Sequence, residues 1–294
     1  MSILTNSRFK GKVLERVPLA PYTSFKIGGK VDYLVFPSSW DDVLFVLEES
    51  YRRNFPIKIM GQGSNILVSD EGLHGVIIKI SRNLGKIERI DDVYLEIESG
   101  CLIAEVLNFL INNNLGGLEF LAGIPGNIGG AVYGNAGAWG KSIGEYVEEV
   151  RIIDRNLDEK ILNKKQLSFG YRISNINDGC IIKSVIIKTF KQEKEKTYNI
   201  ILNYLKERRK KLPKLPSAGS IFKNPPSQNA GYLLESVGMK GTRVGNVMVS
   251  YEHANIIVNL GGGKAEEVKE LIKMMREKVE SYFGIHLELE IKIW

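Results

Sequence analysis

The chain has 294 residues, of which 44% are hydrophobic and 25% charged, and its net charge is +6. This length exceeds what one hydrophobic core usually serves, so we expect two or three domains. The positive charge suits anionic small molecules or nucleic acid. No apolar run is long enough to span a bilayer, and the N-terminus lacks the apolar region of a secretory signal. Three histidines and two distant cysteines disfavour a metal centre. Together these features predict a cytoplasmic protein with reduced thiols.

Helix and strand patterns alternate along the chain. Capping and helical spacing predict helices over 39–53, 104–113 and 265–283, and a basic helix that ends at Pro213. The apolar runs predict strands over 57–60, 75–80, 150–153, 181–190, 247–249, 256–258 and 286–294. A polar, charged run from Lys191 predicts a domain boundary, which divides the chain into residues 1–190 and 191–294. The basic run of residues 206–211, which ends at Lys211, is interpreted by default as a solvated helix face.

The most informative segment is the glycine-rich stretch, residues 117–140, with the sequence GLEFLAGIPGNIGGAVYGNAGAWG. Eight of its 24 residues are glycine, and it contains no Lys or Arg. So many glycines favour a backbone that approaches a ligand closely and donates its own N–H groups, and pyrophosphate is a common ligand of such a surface. A flexible linker is the alternative, but the interleaved apolar side chains require burial.

A second glycine loop, residues 61–65 with the sequence GQGSN, follows a predicted strand. Alone it is a weak signal, because it lacks the third glycine of a Rossmann fingerprint and the lysine of a P-loop, and a plain turn explains it equally well. Two glycine loops that follow strand-like segments together indicate an extended dinucleotide held between two lobes.

Three further segments carry polar groups that could act in chemistry. Ser220, in a stiff Pro-bounded loop, could donate a proton or simply close a turn. Arg172, beside Gly170 and two aromatic residues, could bind a carboxylate or pack its stem on Tyr171. Glu288 and Glu290 share one face of the predicted last strand, where a catalytic acid and a solvated face both remain open.

In this order the segments resemble one family, UDP-N-acetylenolpyruvoylglucosamine reductase, in its shorter subclass. The resemblance rests on residues 23–29 (TSFKIGG), 61–68, 117–140, 169–174, 217–225 (SAGSIFKNP) and 253–259 (HANIIVN). It implies an α+β fold in which residues 1–190 form a two-lobed FAD-binding domain of the vanillyl-alcohol-oxidase (PCMH) type, with lobes at about 1–75 and 76–190. A smaller α/β substrate-binding domain would then occupy residues 191–294.

The resemblance also implies roles for individual residues. Arg172, Ser220 and Glu290 match the family's catalytic arginine, proton donor and glutamate. The implied FAD-binding set is Gly61, Gly63, Ser64, Asn65, Gly123, Gly126, Gly129, Gly130, Asn135, Ala136 and Gly137. The implied contacts for substrate or NADPH are Tyr171, Lys211, Lys223 and Asn224. No metal is expected.

The implied reaction has two halves: NADPH reduces FAD, and hydride then passes from the flavin to an enolpyruvyl sugar nucleotide in peptidoglycan precursor synthesis. The expected partners are therefore a UDP-sugar and NADPH, without nucleic acid or membrane, and the expected state is a monomer. Two alternatives remain open at this point. One is another FAD-dependent oxidase or dehydrogenase of the same fold, and the other is a non-enzymatic sugar-nucleotide-binding protein.

Overall fold

The computed structural model describes residues 8–176, 179–226 and 228–294. Among the described helices, none has both the length and the apolar character needed to cross a bilayer. The helices are α1 (Trp40–Arg52), α2 (Ile103–Asn112), α3 (Ile128–Tyr133), α4 (Lys194–Lys211), α5 (Ala230–Ser236) and α6 (Ala265–Phe283).

The four helices predicted from the sequence are confirmed. α1 begins where expected because the Ser39 side chain accepts a hydrogen bond from the Asp42 N–H at 3.2 Å, the usual role of an N-cap serine. α6 ends at Gly284, whose φ of +65° is the left-handed conformation that glycine adopts at helix ends.

The strands are short and numerous. They are β1 (Lys12–Pro18), β2 (Lys30–Phe36), β3 (Ile57–Met60), β4 (Ile66–Leu67), β5 (Leu73–Lys79), β6 (Ile87–Arg89), β7 (Tyr94–Glu98), β8 (Leu115–Gly116), β9 (Gly137–Ala138), β10 (Lys141–Ser142), β11 (Val147–Ile153), β12 (Glu159–Asn163), β13 (Phe169–Gly170), β14 (Ile173–Ser174), β15 (Ile181–Lys188), β16 (Phe190–Lys191), β17 (Arg243–Val244), β18 (Val247–Val249), β19 (Ile257–Asn259) and β20 (Lys292–Ile293). The larger sheets have the strand orders β1-β2-β5-β3, β12-β11-β15-β7-β6 and β17-β18-β19.

The predicted strand over 286–294 is only partly correct. Leu289 forms an isolated bridge with Phe222, and only β20, farther along, is a strand, which pairs in parallel with β4. The segment therefore changes partners at Glu290, so the alternating pattern predicted an extended chain but not the break in its pairing.

The chain forms two compact units. The first contains residues up to Leu14, then Tyr33–Gly61 and Gly75–Arg208, and the second contains Glu15–Asp32, Gln62–His74 and Arg209–Trp294. The sequence-based division assigns FAD binding to residues 1–190 and substrate binding to residues 191–294, and this division stays a prediction.

Each unit has its own buried core. The first unit has two apolar clusters, one between α2, α3 and the five-stranded sheet and the other around α1 and β5. In the second unit, α6 packs its apolar face with α5, β18 and β19. Phe25, from the predicted 23–29 motif, is completely buried in that second core. This N-terminal motif therefore supplies a core residue to the unit that contains the C-terminal part of the chain.

Candidate active site

The loop that carries Ser220 is an extended segment held between two neighbours in the second unit. Ser220 forms a bridge with Ile256, and the Glu290 N–H donates to the Ile221 carbonyl at 2.8 Å. The buried Ile221 and Phe222 anchor the segment in the core. Main-chain pairing thus brings Ser220 and Glu290, which are 70 positions apart in the sequence, to adjacent extended segments.

Asn255 fixes this segment from the other side. Its side-chain amide accepts from the Phe222 N–H at 3.0 Å and donates to the Phe222 carbonyl at 2.8 Å. Its own carbonyl accepts from the Ile221 N–H at 2.8 Å. Asn255 is 2% exposed. Sequence reasoning gave this residue no role, although it is the third residue of the HANIIVN motif.

The second glycine loop contributes to the same unit from Gln62 onward. The Asn65 side chain donates to the Glu290 carbonyl at 3.0 Å, and the Asn65 carbonyl accepts from the Lys292 N–H at 3.0 Å. Gly63 has a φ of +65°, and its carbonyl accepts from the Ser24 N–H. The loop therefore supports the Glu290 main chain as well as being a predicted FAD contact. Gly61 lies in the first unit.

Arg172 lies at the tip of a hairpin in the first unit. β13 and β14 pair Gly170 with Ile173, so Tyr171 and Arg172 form a two-residue turn. Arg172 has a φ of +58°, a left-handed conformation that is strained for a residue with a side chain and recurs at functional sites. Its guanidinium carbon lies 5.1 Å from the centre of the Tyr171 ring. Tyr171 is 52% exposed, so the predicted substrate contact is accessible.

The glycine-rich stretch folds as a short 3-10 turn, α3 and β9. A Cβ added at Gly129 would lie 2.6 Å from Ser99 Cβ, whereas one added at Gly130 would meet no atom within 4 Å. The N–H groups of Ile128 and Gly129 donate to main-chain carbonyls at Cys101 and Ser99. Gly129 therefore permits close approach to Ser99, and Gly130 leaves open space. The N–H groups of Ile128 and Gly129 are used in main-chain hydrogen bonds of the fold.

Two buried polar atoms, one in the stretch and one beside it, fit a polar ligand. Within the described parts of the chain, Asn127 Oδ1 and Ser99 Oγ have no hydrogen-bond partner. A Cβ at Gly61 would lie 2.8 Å from Asn127 Oδ1, so Gly61 and Asn127 are close neighbours within the first unit. Buried polar atoms usually have partners, and a dinucleotide with hydroxyl and phosphate groups supplies them. The residues present therefore fit FAD.

The sequence interpretation missed Arg208. The basic run of α4 is exposed at Lys206 and Lys211, in agreement with a solvated face, but Arg208 is half-buried. A Cβ at Gly123 would lie 2.8 Å from Arg208 Cδ, so glycine provides the room for this side chain. Burial lowers the pKa of the Arg208 guanidinium, and Arg172 lowers it further. Helical spacing in the run could have predicted that one member faces inward.

The remaining predicted substrate contacts lie in the second unit. Lys211 is the last residue of α4. Lys223 forms an ion pair with Glu288 at 3.2 Å, and the Asn224 side chain accepts from the Ala230 N–H at 3.0 Å. Glu288 and Glu290 thus differ in their surroundings, because Glu288 is paired and 71% exposed on its side chain and Glu290 is partly buried. The roles of all these residues stay predictions.

Comparison with known proteins is consistent with this arrangement. Residues 31–158 match an FAD binding domain, and residues 210–294 match the C-terminal domain of UDP-N-acetylenolpyruvoylglucosamine reductase. The reductase of Thermotoga maritima is 41% identical over 281 residues, which cover 94% of this chain and 96% of that protein. The reductase of Desulforamulus reducens is 36% identical over 98% of this chain and 95% of that protein.

A solved structure shows the same fold. The crystal structure of UDP-N-acetylenolpyruvylglucosamine reductase from Thermus caldophilus superposes with a TM-score of 0.84 at 31% identity, covering 97% of this chain and 99% of that chain. Together with the FAD-binding match, it confirms the predicted α+β fold with a vanillyl-alcohol-oxidase type FAD-binding domain, and it confirms FAD as the cofactor. The chain therefore belongs to the UDP-N-acetylenolpyruvoylglucosamine reductase family of FAD-containing oxidoreductases.

Proposed function

We propose that this chain reduces UDP-N-acetylglucosamine enolpyruvate to UDP-N-acetylmuramate, with NADPH as the reductant, in peptidoglycan precursor synthesis. The observation that supports the proposal most is the main-chain pairing that joins Ser220 to Ile256 and the Glu290 N–H to Ile221. This pairing fixes the main chain of a proposed proton donor, Ser220, and of a carboxylate residue, Glu290, relative to each other, although they come from distant segments. FAD, when bound, would supply hydride chemistry between NADPH and the methylene carbon of the enolpyruvyl group.

Arg172 binds the carboxylate of the enolpyruvyl group. When hydride arrives at the neighbouring carbon, negative charge spreads onto that carboxylate as an enolate, and a fixed guanidinium stabilises this charge more strongly than it stabilises the ground state. The turn at the tip of the β13–β14 hairpin supplies the fixed position, because a strained φ persists only when the surrounding structure holds it.

Ser220 gives its hydroxyl proton to the carbon that bears the carboxylate. This step completes the addition of one hydride and one proton across the double bond. A serine is a weak acid in water, but an enolate carbon is a strong base and the donor is already placed. Glu290 polarises the substrate from the adjacent extended segment.

The residues that would hold FAD are Gly61, Gly63, Ser64, Asn65, Gly123, Gly126, Gly129, Gly130 and the main chain of residues 135–137. Those that would bind the phosphates of substrate or NADPH are Tyr171, Lys211, Lys223 and Asn224. Cationic and amide groups suit these ligands because both are polyanions.

We further propose that the enzyme is a cytoplasmic monomer that acts without nucleic acid or membrane. Its two cysteines are free thiols, which agrees with a reducing compartment. Light scattering of the purified protein across a concentration series tests the monomer, since a mass near 33.0 kDa supports it and a constant doubled mass contradicts it.

An anaerobic absorbance experiment tests the reaction. The purified protein should be yellow, NADPH should bleach its flavin, and the enolpyruvyl sugar nucleotide should restore the colour. UDP-N-acetylglucosamine, which lacks the enolpyruvyl group, is the matched control and should leave the flavin reduced. A reduced flavin that ignores the enolpyruvyl substrate contradicts the proposal.

A further inference from the structure

Both polar atoms of the Asn135 side-chain amide form hydrogen bonds. Its Nδ2 donates to the Gly170 carbonyl at 2.7 Å, and its Oδ1 accepts from the Gly144 N–H at 2.9 Å. Asn135 is 4% exposed. Both bonds are therefore internal to the first unit, and they link the glycine-rich stretch to β13, the strand that leads into the Arg172 turn.

Two further contacts hold the same hairpin. The Ser174 hydroxyl, on β14, donates to the Tyr133 carbonyl at 2.8 Å. A Cβ added at Gly144 would lie 2.4 Å from Phe169 Cγ, so the ring of Phe169 packs directly on the Gly144 backbone. The glycine-rich stretch therefore bonds to both strands of the hairpin. Asn135 bonds to Gly170 of β13, and the Tyr133 carbonyl accepts from Ser174 of β14.

The backbone conformations of Arg172 and Asn135 explain why the hydrogen bonds from Asn135 to the hairpin are needed. Arg172 has a φ of +58° and Asn135 a φ of +43°. Asparagine tolerates this left-handed region better than most residues, so Asn135 can hold its own position. Arginine does not, and its strained turn relaxes unless neighbouring contacts prevent it.

We propose that Asn135 is a positioning residue that holds the Arg172 turn in a fixed place relative to the FAD-binding stretch. Its side chain acts through Arg172, whereas only its main chain is left to approach the cofactor. This inference rests on the role of Arg172 in the proposed function. It assigns to Asn135 a part in the transfer to substrate, not in cofactor affinity.

Two substitutions separate this role from general stability. Asn135→Asp keeps the acceptor for the Gly144 N–H but replaces the donor to Gly170 with a buried carboxylate oxygen that faces the Gly170 carbonyl. Asn135→Gly removes both bonds and leaves the left-handed backbone unstrained. Asn54→Gly is the matched control, because Asn54 also has a positive φ, +54°, but is exposed. If Asn135→Asp does not accumulate as folded protein, Asn135→Gly makes the same comparison.

The first readout needs no catalysis. In the FAD-loaded protein, hydrogen exchange of the amides of residues 169–174 should be at least about tenfold faster in Asn135→Asp than in the wild type, because one hydrogen bond is lost and a repulsive contact replaces it. Asn54→Gly should leave that exchange unchanged. The FAD dissociation constant of Asn135→Gly should stay within about twofold of the wild-type value, because neither lost bond involves the cofactor and no charge is introduced.

The second readout is a double-mutant cycle on reoxidation of the reduced flavin by the enolpyruvyl substrate. Asn135→Asp should slow this step in the wild-type background and have no further effect in an Arg172→Ala background, since residues that act through one another are not additive. Unchanged exchange at residues 169–174, losses that multiply, or FAD affinity that falls with the rate would each overturn the inference. If Arg172→Ala alone leaves reoxidation unchanged, the proposed role of Arg172 fails instead, and with it the functional part of the inference.

Discussion

Replacing Asn255 with alanine should both destabilise the second unit and impair transfer to substrate. Asn255 satisfies the N–H and the carbonyl of Phe222, at 3.0 and 2.8 Å, and both residues are at most 2% exposed. Alanine would leave those two main-chain groups buried without a partner. Each such group costs about 1–3 kcal/mol, so the free energy of unfolding should fall by about 2–6 kcal/mol.

Urea unfolding and the two half-reactions measure these effects separately. Asn255→Asp keeps the acceptor for the Phe222 N–H but buries a carboxylate whose second oxygen faces the Phe222 carbonyl, so its loss of stability should be at least as large. Reoxidation by substrate should slow more than reduction of FAD by NADPH, because residues 220–222, which include the proposed proton donor, lose their anchor. Asn246→Ala, at an exposed position, should change stability by less than about 0.5 kcal/mol. A similarly small change for Asn255→Ala would refute the reasoning.

Three other predictions follow from backbone geometry and burial. Arg172→Gly should be more stable than Arg172→Ala by about 1 kcal/mol, measured by thermal unfolding, because residue 172 is left-handed; equal stability would contradict this. Gly129→Ala should lower apoprotein stability, since its Cβ would lie 2.6 Å from Ser99 Cβ, whereas Gly130→Ala should spare stability and weaken FAD binding; the reverse pattern would refute the fit. Burial raises the pKa of the Cys101 thiol from 9.0 to about 12. The stabilisation that the folded state gains from keeping this thiol neutral is therefore complete below pH 9 and is lost as the pH rises towards 12. Cys101→Ala should show a smaller decline over that range in urea unfolding, and an identical decline would contradict the shift.

The elements that sequence reasoning predicted well are those with local signals. α1 has a capping serine, and α6 has a regular apolar face and a terminal glycine, so both follow from residues near each other in the chain. The C-terminal segment is different, because alternation predicts an extended chain but says nothing about its partners. Its switch from Phe222 to β4 at Glu290 depends on contacts between segments more than 60 residues apart.

The sequence supplied candidate residues for the site but not the contacts that hold them. The glycine content of residues 117–140 predicts a ligand-approaching backbone and the resemblance implies roles for Arg172, Ser220 and Glu290, and these roles stay predictions. Asn255 and Asn135 act by bonding main-chain atoms of other segments, and an asparagine in a sequence shows no sign of such a partner. The basic run likewise gave no indication of which member, Arg208, turns towards Gly123.

The most direct measurement of the central claim is the rate of each half-reaction in Ser220→Ala. Ser281→Ala is the control, because Ser281 lies at an exposed position of α6 in the same unit. Anaerobic stopped-flow absorbance should show flavin reduction by NADPH at the wild-type rate in both variants. Reoxidation by the enolpyruvyl substrate should slow by about 10²- to 10⁴-fold in Ser220→Ala, the usual contribution of a general acid, and stay unchanged in Ser281→Ala. Equal losses in both half-reactions of Ser220→Ala, or wild-type reoxidation, would contradict the assignment of Ser220 as the proton donor.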